Sequence, residues 1–241
     1  MTLEIQQFAD ANKVSDAVAD AFIERLLEVL VEKSIVHVAI TGGTVGILSL
    51  AKIGNHAKLA QVDFNRIHIW WGDERFVTAD SSDRNAIQAY EPFLGKISIP
   101  ADNVHLFPAS DEGLNLEQAA SDFAAQVLLC ADETELIPFD VMLMGMGPDG
   151  HIASLFPGHN APAASKAVVF ESNSPKPPSE RLSFSYQAIN YASEIWFTVA
   201  GADKAAAVAD SLISQTRLLP AGKVAGTKKT RWFLDEAAYQ E

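Results

Sequence analysis

Ile35-Val36-His37-Val38-Ala39-Ile40-Thr41-Gly42-Gly43-Thr44-Val45-Gly46 is the stretch that decides the fold. The run Ile35–Thr41 is apolar and β-branched almost throughout, the pattern of a strand covered on both faces in a parallel sheet. A glycine pair follows, and then helical spacing over Gly46–Lys52. A strand that feeds a helix through a glycine turn is the building unit of an α/β fold. The same alternation continues in both directions. Leu3–Phe8, Ile67–Trp71, Val104–Phe107, Phe139–Met144, Val168–Glu171, Leu182–Ser185 and Ile195–Ala200 read as further strands. Ser15–Lys33, with Val18, Phe22, Leu26, Val29 and Leu30 at helical intervals, reads as a helix, as do Arg84–Leu94, Leu116–Ala131 and Asp203–Ser214. The expectation is one domain over residues 1–241: a doubly wound, mostly parallel sheet with right-handed crossovers and helices on both faces.

Composition narrows the function. Eighteen Lys and Arg against thirty-one Asp and Glu leave a formal charge of −13. An acidic surface repels phosphate backbones, so nucleic acid is not an expected partner, and an anionic small substrate needs a local basic pocket. The single Cys130 excludes an intrachain disulfide and a multi-cysteine zinc site; its apolar helical setting predicts a buried, inert thiol. Met1–Asn12 lacks the pattern of a signal peptide, and no apolar run has the length of a membrane helix. A soluble cytoplasmic protein, monomeric or weakly dimeric, is expected.

Ligands of doubly wound sheets bind beyond the carboxyl ends of the strands, so the residues that follow each strand carry the functional reading. Thr41-Gly42-Gly43-Thr44 before a helix is either a cradle of backbone N–H groups for a phosphate or a plain tight turn. It is not a P-loop, because no Gly-Lys-Ser or Gly-Lys-Thr follows. Gly72-Asp73-Glu74-Arg75 places two acids beside an arginine. They form either an ion pair that positions a phosphate-gripping guanidinium or a surface salt bridge.

Gly145-Met146-Gly147-Pro148-Asp149-Gly150-His151, continuing to Gly158, is the densest signal. It matches G-x-G-x-x-G, and Glu171 lies where a ribose-binding acid would be wanted. A dinucleotide site is rejected. Asp149 would face the pyrophosphate, and Pro157 cuts the following helix to about two turns. The other reading is a catalytic His151 held by Asp149 on a glycine-rich turn, an imidazole able to serve as base and then acid. Ser174-Pro175-Lys176-Pro177-Pro178-Ser179-Glu180-Arg181 is a stiffened loop with two cations, either an anion clamp or an exposed proline-rich loop. No G-x-S-x-G or H-E-x-x-H occurs. His37, His56, His68, His105 and His159 show no metal-ligand spacing and read as structural or surface residues, and no metal or cofactor is expected. Lys223, in a Pro220–Gly226 loop, is a further cation that could approach the site.

On these four segments the chain resembles the 6-phosphogluconolactonases, over nearly its whole length. The run from Gly145 to Gly158 is close to a family signature. The resemblance implies a single Rossmann-like α/β domain. It also implies hydrolysis of 6-phospho-D-glucono-1,5-lactone to 6-phosphogluconate, a step of the oxidative pentose phosphate pathway. By motif position His151 matches the family's base and Asp149 its partner, while Arg75, Lys176 and Arg181 match phosphate-binding cations. Gly42, Gly43 and Thr44 join the expected phosphate contacts, and Asp73, Gly147 and Gly150 are expected further substrate contacts. The chain departs from relatives that carry Ser-Gly-Gly-Ser then Thr-Pro in the first loop, and from those with Ser-Asn after the Asp-Glu-Arg segment, where Ser82-Asp83-Arg84-Asn85 stands here. The rival is a sugar-phosphate isomerase or deaminase of the glucosamine-6-phosphate deaminase type. That group shows Asp-Glu-Tyr and Asn-Glu-Pro where this chain has Asp73-Glu74-Arg75 and Leu155-Phe156-Pro157. A catalytically inactive sugar-phosphate-binding regulator is the other rival, opposed by the lack of a DNA-binding segment or basic face.

Overall fold

A computed structural model of the chain describes residues 2–213 and 218–239. Among them run nine strands, β1 (Thr2–Phe8), β2 (Val36–Ile40), β3 (Ile67–Trp71), β4 (Asp73–Arg75), β5 (Val141–Met144), β6 (Val168–Glu171), β7 (Arg181–Phe184), β8 (Glu194–Val199) and β9 (Lys229–Asp235). The α-helices are α1 (Ala11–Glu32), α2 (Thr44–Gly54), α3 (Asn85–Tyr90), α4 (Leu116–Cys130), α5 (Tyr186–Tyr191) and α6 (Ala205–Ile213). Side-chain caps set three helix starts: Asp10 accepts from the Lys13 N–H, Asn115 and Gln118 form a reciprocal capping box, and Ser185 accepts from the Ala188 N–H.

Six strands form a parallel sheet in the order β1-β9-β8-β5-β2-β3. The chain moves from β2 outward to β3, then returns to β5 on the other side of β2. Between β2 and β5 lies the switch point, where loops diverge and leave a crevice. Ring contacts show a layer on each face. Phe22 of α1 meets Trp196 edge-on at 6.4 Å, while Phe123 of α4 meets Trp70 at 6.0 Å from the opposite face. Trp70, Trp71, Trp196 and Phe184 are essentially inaccessible to solvent, which identifies the sheet as the centre of the core.

The structure corrects several sequence expectations. The Val168–Glu171 and Leu182–Ser185 segments are strands, but outside the parallel sheet. They pair antiparallel in a second sheet of order β4-β7-β6. The connection over 172–180 holds no helix, and parallel pairing needs a crossover of a dozen or more residues. Asp73–Arg75, read as a loop, is the third strand of that sheet. Gly72 joins the two sheets: its N–H donates to the Ile40 carbonyl at 3.0 Å and its carbonyl accepts from Phe184 N–H at 3.0 Å. Val104–Phe107 is not a strand. It makes one parallel bridge, to Ile69, before Phe107 turns inward to stack on Phe123 at 3.9 Å and Pro108 follows. β9 and α5 were not anticipated. The last residue of the Asp203–Ser214 helix lies outside the described residues.

Candidate active site

The β2 and β5 loops meet at the switch point, where the Gly145 N–H lies 3.4 Å from Thr41 Oγ1. A cleft of ≈ 540 Å³ opens there. Its lining includes Thr41–Gly46, Asp73, Arg75, Asn85, Gly147, His151, Lys176 and Arg181. Segments that are far apart in sequence are therefore neighbours: the loops after β2 and β5 leave the parallel sheet here, and β4, β7 and the β6–β7 connection bring the second sheet against them.

His151 follows a tight turn. The Gly150 N–H donates to the Gly147 carbonyl at 2.9 Å, and Gly147 N–H donates to the His151 carbonyl at 3.0 Å. Gly150 has φ +77°, a conformation that favours glycine. A Cβ on Gly147 would stand 2.0 Å from the imidazole and 2.5 Å from Asp149 Oδ1, so the ring packs directly on bare backbone. This close fit brings Asp149 Oδ1 to 2.5 Å from His151 Nδ1. The carboxylate fixes the proton on Nδ1 and leaves Nε2 with a free lone pair. Burial lowers the His151 pKa, reinforced by the Lys176 charge and opposed by Asp149 and Asp73. The imidazole is therefore neutral at neutral pH. Burial pushes Asp149 up, but its bond and attraction to His151, together with Lys176, outweigh this and hold it below the usual carboxylate range.

The cations come from the second sheet. Arg75 of β4 and Arg181 of β7 are register partners, two like charges directly across a strand pair. Such a pair is unfavourable without an anion between or beside it. Arg75 Nη1 donates to the Asp83 carbonyl at 2.5 Å, while its buried Nε has no hydrogen-bond partner among the described residues. Arg181 is buried; its Nε donates to the Pro178 carbonyl at 2.7 Å and Nη2 to the carbonyls of Pro177 and Lys176. It thereby ties down the proline loop that carries Lys176. Burial, with Arg75, lowers the Arg181 pKa, yet a guanidinium stays cationic. Lys176 Nζ lies 3.6 Å from Asp149 Oδ1 and 3.3 Å from His151 Nδ1. Since Nδ1 already donates to Asp149, the ammonium acts on this pair as a charge.

The anticipated ion pair among Asp73, Glu74 and Arg75 does not form. Glu74 is buried and accepts from the N–H groups of Arg75, Asn85 and Ala86, so it shapes the start of α3. Asp73 accepts from Ser154 Oγ at 2.6 Å, and its carbonyl accepts from Asn85 Nδ2 at 2.8 Å. Asn85 fills the space a Cβ on Gly42 would need, at 1.9 Å from Oδ1. Gly43 has φ +78° and caps α2, with no side-chain hydrogen bond at that helix start. Gly150 is not part of the cleft lining: its N–H and carbonyl are both used within the fold, the latter by Ala221 N–H at 3.0 Å. Gly147 lines the cleft, with its N–H already engaged. No helix follows Gly150; Ile152 and Leu155 form a tight bridge instead, which removes the helix N-terminus a dinucleotide would need. Lys223 stands 5.7 Å from the Tyr186 ring and is not among the cleft residues.

The sequence reading missed the far wall. Asp203 and Lys204, just beyond β8, and Asp235, at the end of β9, line the cleft. Lys204 Nζ pairs with Asp203 Oδ2 at 3.0 Å. A signal existed: Gly201-Ala202-Asp203-Lys204 follows a recognised strand, the position at which functional residues were sought elsewhere.

Comparison with known proteins follows the same line. Residues 9–232 match the family described as glucosamine-6-phosphate isomerases/6-phosphogluconolactonase. The chain belongs to that family. Within it, the chain is 36% identical over 243 residues to a 6-phosphogluconolactonase of Mycobacterium leprae, covering 99% of this chain and 98% of the relative. It is 40% identical over 216 residues to the chloroplastic 6-phosphogluconolactonase 3 of Arabidopsis thaliana, covering 86% of this chain and 65% of that longer relative. The crystal structure of a 6-phosphogluconolactonase from Thermotoga maritima superposes with a TM-score of 0.83 at 28% identity, covering 97% of this chain and all of the other. The parallel sheet flanked by helices is thus the family fold.

Proposed function

We propose that this chain hydrolyses 6-phospho-D-glucono-1,5-lactone to 6-phospho-D-gluconate. The observation that carries the reading is an imidazole, held by Asp149, in one cleft with the cations Arg75, Lys176 and Arg181. A δ-lactone is an activated ester, so water and one placed base suffice to open it. His151 Nε2 takes a proton from water as the oxygen attacks C1. Imidazolium forms beside Asp149, which stabilises it. The tetrahedral oxyanion needs donors. Because Gly147 and Gly150 N–H groups are engaged, the uncapped start of α2 around Gly43–Val45 is the better source. His151 then returns the proton to the departing ring oxygen. The cations hold the remote phosphate, which orients C1 over the water.

The deaminase-type rival is less favoured, because Arg75 and Leu155-Phe156 stand where that group carries Tyr and Asn-Glu. A single domain over residues 1–241, a cytoplasmic location and a monomeric or weakly dimeric state belong to the same proposal. The test is acid release from freshly made 6-phosphogluconolactone, corrected for spontaneous opening. Rapid enzyme-dependent release is expected. Release at the spontaneous rate, with a folded protein, overturns the reading.

A further inference from the structure

Away from the cleft, three side chains that look scattered in sequence converge. His68 lies on β3, His105 on the segment that bridges to it, and Cys130 closes α4. His68 Nδ1 and His105 Nε2 are 2.8 Å apart, and a ligand atom from each of the three residues lies within 4.8 Å of the others. All three are half-buried, which corrects the expectation of a buried thiol and leaves the group open to small solutes. We propose that His68, His105 and Cys130 form a binding site for a zinc-class divalent ion, separate from the hydrolytic cleft.

Donor chemistry selects the ion. Two imidazoles and a thiolate suit zinc, whereas magnesium and calcium prefer oxygen ligands, and the group contains none. Zinc bonds of about 2.0–2.1 Å to nitrogen and about 2.3 Å to sulfur put tetrahedral ligand atoms roughly 3.3–3.6 Å apart. The imidazole pair needs to open by about half an ångström and the sulfur to approach by at most roughly 1.2 Å, changes within side-chain reach. The surroundings hold the ligands in place. His105 stacks on Trp70 with centroids 3.7 Å apart and an interplanar angle of 7°, and Trp70 Nε1 donates to His37 Nδ1 at 3.2 Å. On binding, the thiol releases its proton to solvent. The proton shared by the imidazoles moves to the other nitrogen of its own ring, and water completes the fourth position. His68 sits at the amino end of β3, five residues before Asp73 of the cleft, roughly 16 Å along an extended chain.

Cobalt(II) added to the metal-free full chain tests this. One equivalent is expected to produce a near-ultraviolet thiolate-to-cobalt charge-transfer band, which zinc competes away. Cys130→Ser is expected to lose the band and to weaken zinc binding at least about tenfold, a single lost ligand. His68→Gln, which keeps the thiol, is expected to weaken zinc to a similar extent with an unchanged circular dichroism spectrum. It decides the matter if Cys130→Ser fails to fold. No charge-transfer band in the unmodified chain, or unchanged zinc affinity in the folded variants, overturns the site. Cobalt binding without the band places the metal elsewhere and does the same.

Discussion

At the scale of single residues, the roles proposed for His151 and Arg75 divide chemistry from binding. His151→Ala is expected to lower turnover by roughly 100-fold or more, the range for loss of a general base, while binding of 6-phosphogluconate changes far less. Asp149→Asn is expected to lower turnover too, since an amide neither fixes the tautomer nor balances the imidazolium. Steady-state kinetics beside product affinity checks both, and near-normal turnover in His151→Ala removes the base assignment. Burial and Lys176 lower the His151 pKa, so its base form is already present at neutral pH. The kcat/KM profile is expected to be flat through pH 7 and to fall only on the acid side, below the ordinary histidine value. An acid limb centred above pH 6.5 contradicts it. For Arg75, a charged hydrogen bond to phosphate is worth roughly 1.5–3 kcal/mol, so Arg75→Ala is expected to weaken 6-phosphogluconate by about one to two orders of magnitude. The penalty should largely vanish with unphosphorylated gluconolactone. An equal loss on both substrates puts Arg75 in the catalytic machinery or the fold.

At the scale of elements, the small sheet carries Arg75 and Arg181, and the loop after β5 of the large sheet carries His151, so the proposed phosphate and hydrolytic sides of the cleft come from different sheets. Their relative position depends on packing between them. Phe184 of β7 is fully buried and meets Trp70, Phe107, Phe123 and Phe139 at ring distances of 5.2–6.2 Å. It therefore ties β7, which carries Arg181, to the core under β3 and α4. Phe184→Ala is expected to destabilise the fold by about 3–5 kcal/mol through loss of transfer energy and a residual cavity. Equilibrium denaturation measures this, and a loss below about 1 kcal/mol shows that the two sheets are held together by other contacts. The strands β6 and β7 were legible, but their antiparallel pairing was not read, although residues 172–180 are too few for a crossover. The pairing of Asp73–Arg75 with β7 was not legible. Three residues carry no period, and Gly72 hides the change of direction.

At the scale of the molecule, acid sensitivity and net charge are separate matters. Burial lowers the His37 pKa to about 3 and the His105 pKa to about 4, with neighbouring histidines adding to the shift. The unfolded chain binds protons at these sites near pH 6.5, where the folded protein does not. Stability contributed by the neutral forms is therefore complete above that pH and falls as pH drops from about 6.5, to about 4 for His105 and to about 3 for His37. Metal-free protein followed by thermal unfolding is expected to lose stability across this window, and His37→Gln to lose less. Equal pH slopes in the two proteins remove His37 from the account. The charge of −13 acts at long range instead. It opposes the approach of any anion, which the cleft cations would have to offset locally for the proposed phosphate substrate, and salt screens it.

What the sequence by itself determined was whatever rests on local pattern. The apolar runs at Ile35–Thr41, Ile67–Trp71 and Phe139–Met144 pointed to a covered parallel sheet. Glycines at 42, 43, 147 and 150 marked the tight turns, and Asp149-Gly150-His151 put a carboxylate within reach of an imidazole two residues away. Tertiary structure alone decided the rest, because those contacts join distant positions with no local period. Arg75 faces Arg181 only through strand pairing, and Asn85 fills the gap left by Gly42 only because α3 starts against Glu74. Lys204 reaches the cleft only because β8 lies beside β5, and His68, His105 and Cys130 meet only because α4 ends over β3. Chain entropy opposes every such long-range contact. Only the burial of the sheet's two faces, summed over the whole core, holds them in place.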